Sequence, residues 1–311
     1  MVIHPGFVGI DISKNYFDIY DGAVGKHERV ANSDGEALVL ALRFKVSDSF
    51  VLFEATGRYD RVLRLALEQA GVSFARVNPK RARDFARCTG RIAKTDAIDA
   101  NMLASMAQTL KPPVHAPMCR EREVLRDLHT RRDQLVAMRA QETVRLELLA
   151  NAAIVKAIER HIIQLSDDIA SIDADIKAVI KADTPMREAE IALISIPGIG
   201  PVTAHTLMAF LPELGRYSPK AIAAIAGLAP YNVDSGSFRG QRKISGGRRR
   251  ATRAMYMASL SAIRMKGVYR EFYLKLKAAG KPSKLALIAV ARKLLLAANA
   301  IIRDKTSFKT A

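Results

Sequence analysis

Over the first eighty residues, short apolar runs alternate with polar turns. Phe7-Val8-Gly9-Ile10-Asp11-Ile12-Ser13 predicts a buried strand with an acid near its end, and Tyr16-Phe17-Asp18-Ile19-Tyr20 predicts a second. Asp21-Gly22 can turn the chain toward a third strand around Glu28 to Val30. A helix fits Asp34 to Phe44, and the apolar run Phe50-Val51-Leu52-Phe53 then delivers Glu54. Gly57 opens another helix through Gln69, closed by Gly71, and Val72 to Val77 makes a further strand before Asn78-Pro79. Strands that give way to strand–helix alternation predict an α/β domain. Asp11 and Glu54 both fall at strand ends, where open α/β sheets place their sites.

The pattern then changes period. No glycine occurs from Arg91 to Ile196 and no proline between Pro117 and Pro185, which predicts long helices. Lys94-Thr95-Asp96-Ala97-Ile98-Asp99-Ala100 opens the first of them, with Thr95 as N-cap. Asp96 and Asp99 then lie one turn apart on one face. Two bare carboxylates so close raise each other's pKa unless a cation sits between them. A solvated first turn at the positive end of the helix dipole is the other reading of the same pair. Farther on, Ile158, Ile162, Leu165, Ile169, Ile172, Ile176 and Val179 are spaced 4,3,4,3,4,3, an a/d seam over three heptads. The stretch around Leu125, Leu128, Leu135 and Leu149 is less regular, with Arg132 and Glu142 on its would-be seam. The stripe must be buried, either against the Val124 to Leu149 helix of the same chain or against a second subunit.

Charge separates the rest of the chain from what precedes it. The 311 residues carry a net +18, but from Met186 onward there are 22 Lys and Arg against 6 Asp and Glu, while the preceding 185 residues hold 27 against 25. A basic C-terminal third on a near-neutral remainder is the footprint of phosphate-backbone binding. Within it, Ile196-Pro197-Gly198-Ile199-Gly200 is similar to a helix–hairpin–helix turn, whose Gly198 and Gly200 would let backbone N–H groups meet a phosphate. A structural turn between two helices fits the same residues. The segment from Pro230 to Arg250 has the Gly, Ser and Asn content of a loop, yet Arg239, Arg242, Lys243, Arg248, Arg249, Arg250 and, just after it, Arg253 could grip phosphates. A serine among arginines can attack phosphorus while guanidinium groups neutralise the developing charge. The last stretch predicts helices from Ala251 to Met265, Val268 to Ala278 and Ser283 to Arg303, with Tyr269, Phe272 and Tyr273 in the core.

Hydrophobic content of 49% fits a globular protein, and Cys88 and Cys119 show neither metal spacing nor a disulfide framework. The apolar run Leu285 to Ile302 is interrupted by Arg292 and Lys293, and the N-terminus lacks the pattern of a secretory signal, so a cytoplasmic protein with no membrane partner is expected.

Taken together, Gly9-Ile10-Asp11, Phe53-Glu54-Ala55-Thr56-Gly57, Asn78-Pro79 and Lys94 to Ala100 resemble the N-terminal part of the DEDD insertion-sequence transposases. The segment from Ile196 through Asp234-Ser235-Gly236-Ser237 to Arg253-Ala254-Met255-Tyr256 resembles their C-terminal domain. The resemblance covers about Phe7 to Arg303 and implies α/β plus all-α architecture. An RNase H/RuvC-like domain would occupy 1–115, a long helical coiled-coil arm 116–185, and a basic helical domain with the helix–hairpin–helix-like motif 186–311. It further implies that Asp11, Glu54, Asp96 and Asp99 bind Mg²⁺, and that Ser235 is the nucleophile, with Ser237 as the fallback. Donor and target DNA, an element-encoded guide RNA and a homo-oligomer, dimer or tetramer, would be the partners. In that family the acids of one subunit work with the serine of another. Two rivals stand beside this: a metal-dependent Holliday-junction-type endonuclease with no covalent intermediate, and a non-catalytic nucleic-acid scaffold.

Overall fold

A computed structural model of the chain describes residues 6–55, 57, 59–90, 96–115, 119–232, 234–235, 238–239 and 242–308, without the side chains of 97, 234, 235, 238 and 239. The chain divides into two compact units, 1–117 and 118–311.

In the first unit the elements run β1 (Phe7–Ile12), β2 (Tyr16–Asp21), β3 (Lys26–Ala31), α1 (Asp34–Val46), β4 (Phe50–Glu54), α2 (Arg61–Ala70), β5 (Phe74–Val77), α3 (Pro79–Cys88) and α4 (Asp96–Leu110). They form one five-stranded sheet in the order β3-β2-β1-β4-β5. β1, β2 and β3 pair antiparallel, whereas β4 and β5 join parallel to β1. Alternation along each strand sorts the side chains between two cores. Val8, Ile10, Phe17, Ile19, Val51 and Phe53 face α1 and α2, and Leu52, Ala75 and Val77 face α3 and α4. Each fully buried Leu or Phe of these cores contributes on the order of 2 kcal/mol.

Local chemistry explains most boundaries. Ser33 caps α1 by accepting from the Glu36 N–H, and Gly71 closes α2 with φ +66. α2 starts at Arg61, four residues later than the glycine signal at Gly57 suggests. α3 goes beyond the sequence expectation, which stopped at Asn78-Pro79: the Asn78 side chain accepts from the Lys80 N–H at 2.9 Å and Pro79 occupies the first turn. The expected cap of α4, Thr95, lies outside the described residues, as does Lys94.

In the second unit α5 (Arg120–Leu146), α6 (Ala152–Ala182), α7 (Thr184–Ile194), α8 (Pro201–Phe210) and α9 (Pro219–Ile225) precede four two-residue strands. β6 (Pro230–Tyr231) pairs with β9 (Lys243–Ile244), and between them β7 (Asp234–Ser235) pairs with β8 (Phe238–Arg239). α10 (Arg249–Ala262), α11 (Val268–Ala278) and α12 (Ser283–Asp304) complete the unit.

The seam closes within the chain. α5 and α6 pack as an antiparallel hairpin, as the partner pairs Arg132–Asp173, Arg139–Ser166 and Glu142–His161 require. Every seam residue from Ile158 to Val179 is buried or half-buried. The two charges that interrupt the seam are answered across it: Arg132 takes Asp173 in a two-pronged bond of 2.6 and 3.2 Å, and Glu142 lies 3.4 Å from His161. The base of this hairpin belongs to a larger core, in which Leu125, Ile176 and Ile180 pack with residues from Leu193 to Ile301. α12 is long and apolar enough to cross a membrane by length and composition, but Val290, Ala291, Leu294, Leu295 and Ala298 are fully buried in that core. Tyr269 is buried, its hydroxyl pKa pushed up to about 12 by burial, and Phe272 and Tyr273 pack against the same core.

Candidate active site and nucleic-acid interface

The sheet register assembles the acids of the first unit. Asp11 of β1 stands directly opposite Asp18 of β2, which stands opposite Arg29 of β3. On the other side, the parallel register Ile10↔Phe53 makes Glu54 of β4 the next neighbour of Asp11. The result is a row across four strands: Arg29, Asp18, Asp11, Glu54.

α4 lies over this row. Gly9 shares a strand face with Asp11, and a Cβ there would come within 2.1 Å of the Ala100 carbonyl oxygen and 2.3 Å of the Ala104 nitrogen. The glycine is needed so that helix backbone can touch strand backbone. That contact brings Asp96 and Asp99, on the first turn of α4, into the field of Asp11.

Electrostatics shows the consequence. The Asp11 carboxyl is pushed up from its ordinary 3.8 to about 6, first by burial, then by Asp99 and Asp96, with a smaller push from Asp18 and a backbone hydrogen bond from Ile12 opposing it. Asp18, only 2% exposed, is answered by Arg29, whose Nε and Nη2 donate at 2.8 and 3.1 Å, and by the His27 Nε2 at 3.0 Å. The same Arg29 Nη2 donates to Asp96 Oδ2 at 2.7 Å. Arg29 is thus the cation that spans the sheet acid and the helix acid. Glu54 and Asp99 also have interactions of their own.

The donors are hard carboxylate oxygens, the ligand type that divalent cations such as Mg²⁺ take. Among the described residues no three His, Cys, Asp or Glu side chains are placed to hold one ion together. Asp11, Asp96 and Asp99 are near enough to perturb one another, but no finished coordination shell is present. Asp18, His27 and Arg29 went unnoticed in the sequence, although strand alternation put Asp18 on the face opposite Phe17 and Ile19.

In the second unit the basic residues sort into two groups. Arg248 donates to the Phe210 carbonyl at 2.9 Å and makes a two-pronged pair with Glu213. Arg250 donates to the Thr130 hydroxyl at 2.7 Å, lies 3.3 Å from Asp133 and stacks 4.3 Å over the Phe210 ring. Both brace the fold. Arg242, Lys243, Arg249 and Arg253 are exposed, with no ion pair among the described residues. Gly198 has φ +92 and no room for a Cβ, which would meet Ala262 Cβ at 2.6 Å and the Ala258 carbonyl at 2.7 Å. It is a packing glycine against α10, as the reading of a structural turn between two helices has it. Gly200, the N-cap of α8, is open.

Ser235 lies on β7, with Ser235↔Phe238 and Asp234↔Arg239 as its register pairs. The side chains of Ser235 and Arg239, and Ser237 altogether, lie outside the described residues.

Two family comparisons cover both units. Residues 8–152 match the DEDD transposase family of IS110, and residues 191–274 match the family described as Transposase IS116/IS110/IS902. The chain belongs to the IS110/IS116 transposase family. Similar full-length relatives include the pilin gene-inverting proteins of Moraxella bovis and Moraxella lacunata, 28% and 27% identical over 314 residues, 97% of this chain and 97% of each relative. An insertion element IS110 protein of 43.6 kDa from Streptomyces coelicolor is 32% identical over 143 residues, 45% of this chain and 34% of that protein. The transposase is therefore of a class that cuts and rejoins DNA, and its DEDD domain is RuvC-like. Of the described residues, Asp11, Glu54, Asp96 and Asp99 all fall within the DEDD match, as does Asp18.

Proposed function

We propose that this transposase cuts and rejoins DNA through a covalent phosphoserine on Ser235, with Asp11, Glu54, Asp96 and Asp99 as the ligands of Mg²⁺. The observation that carries the metal half is the row Asp18–Asp11–Glu54 under Asp96 and Asp99, with the Asp11 carboxyl raised to about 6. A bound Mg²⁺ would supply charge neutralisation at the phosphodiester and its leaving oxygen. The protein's own groups do the rest. The Ser235 hydroxyl oxygen forms a bond to phosphorus as the bond from phosphorus to a sugar oxygen breaks, and that sugar oxygen leaves with a proton. A free DNA hydroxyl then displaces the serine oxygen, so bond energy is conserved and no nucleotide cofactor is consumed.

The exposed Arg242, Lys243, Arg249 and Arg253 hold the phosphate backbone, and Arg239 joins them in this reading. Backbone contacts carry no base information. That supports the further proposal that sequence is read by pairing with a guide RNA in a homo-oligomer, dimer or tetramer. The α5–α6 hairpin serves as the assembly arm in this scheme. The pilin gene-inverting relatives suggest inversion of a DNA segment as one outcome of the same chemistry.

The test is covalent trapping. Wild-type protein incubated with end-labelled donor DNA and Mg²⁺, then denatured, is expected to carry label on the peptide containing Ser235, and Ser235→Ala is expected to carry none. Ser237→Ala should retain it. Unimpaired DNA cutting by Ser235→Ala would overturn the covalent route in favour of direct hydrolysis.

A further inference from the structure

The arginine-rich start of α10 is electrostatically lopsided. Arg248 is the N-cap, Arg249 and Arg250 follow, and the first turn contains no acid. Free N–H groups already make that end of a helix positive, so cations there repel one another and the helix. Glu213 answers Arg248 and Asp133 answers Arg250. Arg249 has no ion pair among the described residues, nor does Arg253 one turn later.

These two arginines line one wall of a cavity of about 500 Å³, together with Tyr256, Ser245, Gly246 and Lys284 at the start of α12. No carboxylate lines it among the described residues. Its floor is fixed. A Cβ on Gly247 would fall 2.2 Å from the Gly227 nitrogen, so the segment before α10 is pressed backbone to backbone on the end of α9. The Arg248 N–H donates to the Ile225 carbonyl at 2.9 Å in the same place. Three cations of like sign, two hydroxyls and a rigid floor make a composition suited to an oxyanion.

We propose that this cavity seats a backbone phosphate of the nucleic acid the transposase handles, gripped by Arg249, Arg253 and Lys284, with the Tyr256 and Ser245 hydroxyls as further donors. The proposal deepens the functional reading above and rests on its assignment of nucleic-acid binding to the second unit. It divides the arginine run by role: Arg248 and Arg250 hold α10 in place, while Arg249 and Arg253 hold phosphate. A site that is strained without its ligand also predicts a trade of stability for binding.

The experiment is a salt titration of binding by the full chain, with a labelled DNA duplex in one arm and a labelled single-stranded RNA in the other. Replacing Arg249 and Arg253 together by Ala is expected to weaken binding about tenfold or more at moderate salt. The slope of log affinity against log salt should fall by about 0.9 on duplex, the value for one lost phosphate contact. The double Arg→Lys variant should keep most of the slope. The melting temperature of the Ala variant should be unchanged or higher, which a merely structural role would not give. Loss confined to one arm identifies DNA or RNA as the source of the phosphate. Unchanged affinity and slope in both arms, with the Ser235 adduct still forming, would overturn the seat alone. Failure of the wild type to bind either nucleic acid would overturn the seat together with the reading beneath it.

Discussion

The two units confront like-charge crowding with opposite signs and solve it differently. In the first, acids of β1, β2 and β4 stand in one row of the sheet with those of α4 close enough to perturb Asp11, and Arg29 is the cation that bridges the buried Asp18 to Asp96. In the second, consecutive arginines diverge around a helix, so alternate ones reach Glu213 and Asp133 while their neighbours face a cavity. A sheet holds its charges in fixed rows, where burial first, and then the charges of Asp99 and Asp96, keep the Asp11 pKa raised. A helix turns successive side chains about 100° apart, so protein partners compensate some charges and leave others for a ligand. In the functional reading proposed above, the ion and the phosphate take up these two like-charged places.

That contrast can be broken most severely at Asp11. Asp11→Asn removes a proposed metal ligand and a half-buried acid at once. DNA cutting with Mg²⁺ should fall by about a thousandfold, while thermal stability without metal holds or rises. A loss of stability in calorimetry would show that the acid is structural instead. The next largest effect is on pH. His129 of α5 is buried, its Nε2 has no hydrogen-bond partner among the described residues, and its pKa is lowered to about 4 by burial first, then by His205, Arg132 and Arg250, with Asp173 opposing. Because the unfolded chain takes up this proton near pH 6.5 and the folded chain only near 4, stability should fall as pH drops between those values, by at most about 3 kcal/mol. His129→Phe should flatten that part of a stability-versus-pH curve.

Smaller effects sharpen the comparison. Gly9→Ala forces α4 off the sheet and should cost about 1–3 kcal/mol in denaturant unfolding, with a parallel loss of cutting as Asp96 and Asp99 shift. An unaffected melting curve would remove the account of how the helix acids reach the sheet acid. Arg248→Ala should destabilise by about 1–2 kcal/mol through loss of the Glu213 pair, whereas Arg249→Ala should cost nothing. Equal losses at both positions would dissolve the division of the arginine run.

Much of the fold could be read in advance because its signals are local. The 4,3 spacing from Ile158 to Val179 predicted which face of α6 is buried, and the strand runs ending at Asp11 and Glu54 appear as β1 and β4. The choice between an intrachain and an intersubunit seam rested on partners such as Asp173 and His161, which no periodicity names. The strand reading stops at Asn78-Pro79, although that pair starts α3. Asp18 escaped notice because its neighbour is set by antiparallel register, and the crowding at Gly198 is not legible because the atom it must avoid, Ala262 Cβ, lies far along the chain. Equal-looking arginines at 248, 249, 250 and 253 differ only in what the fold puts beside them.

The continuous rod of α5 has a mechanical corollary. It carries Thr130 and Asp133, which grip Arg250 at the root of α10, and it runs on to Leu146 near the far end of the hairpin. A displacement of the hairpin would therefore act on Arg250, next to the Arg249 that lines the cavity. Deleting matched whole heptads from α5 and α6 would shorten the hairpin without rotating it, whereas deleting three or four residues from each would twist the tip relative to the root.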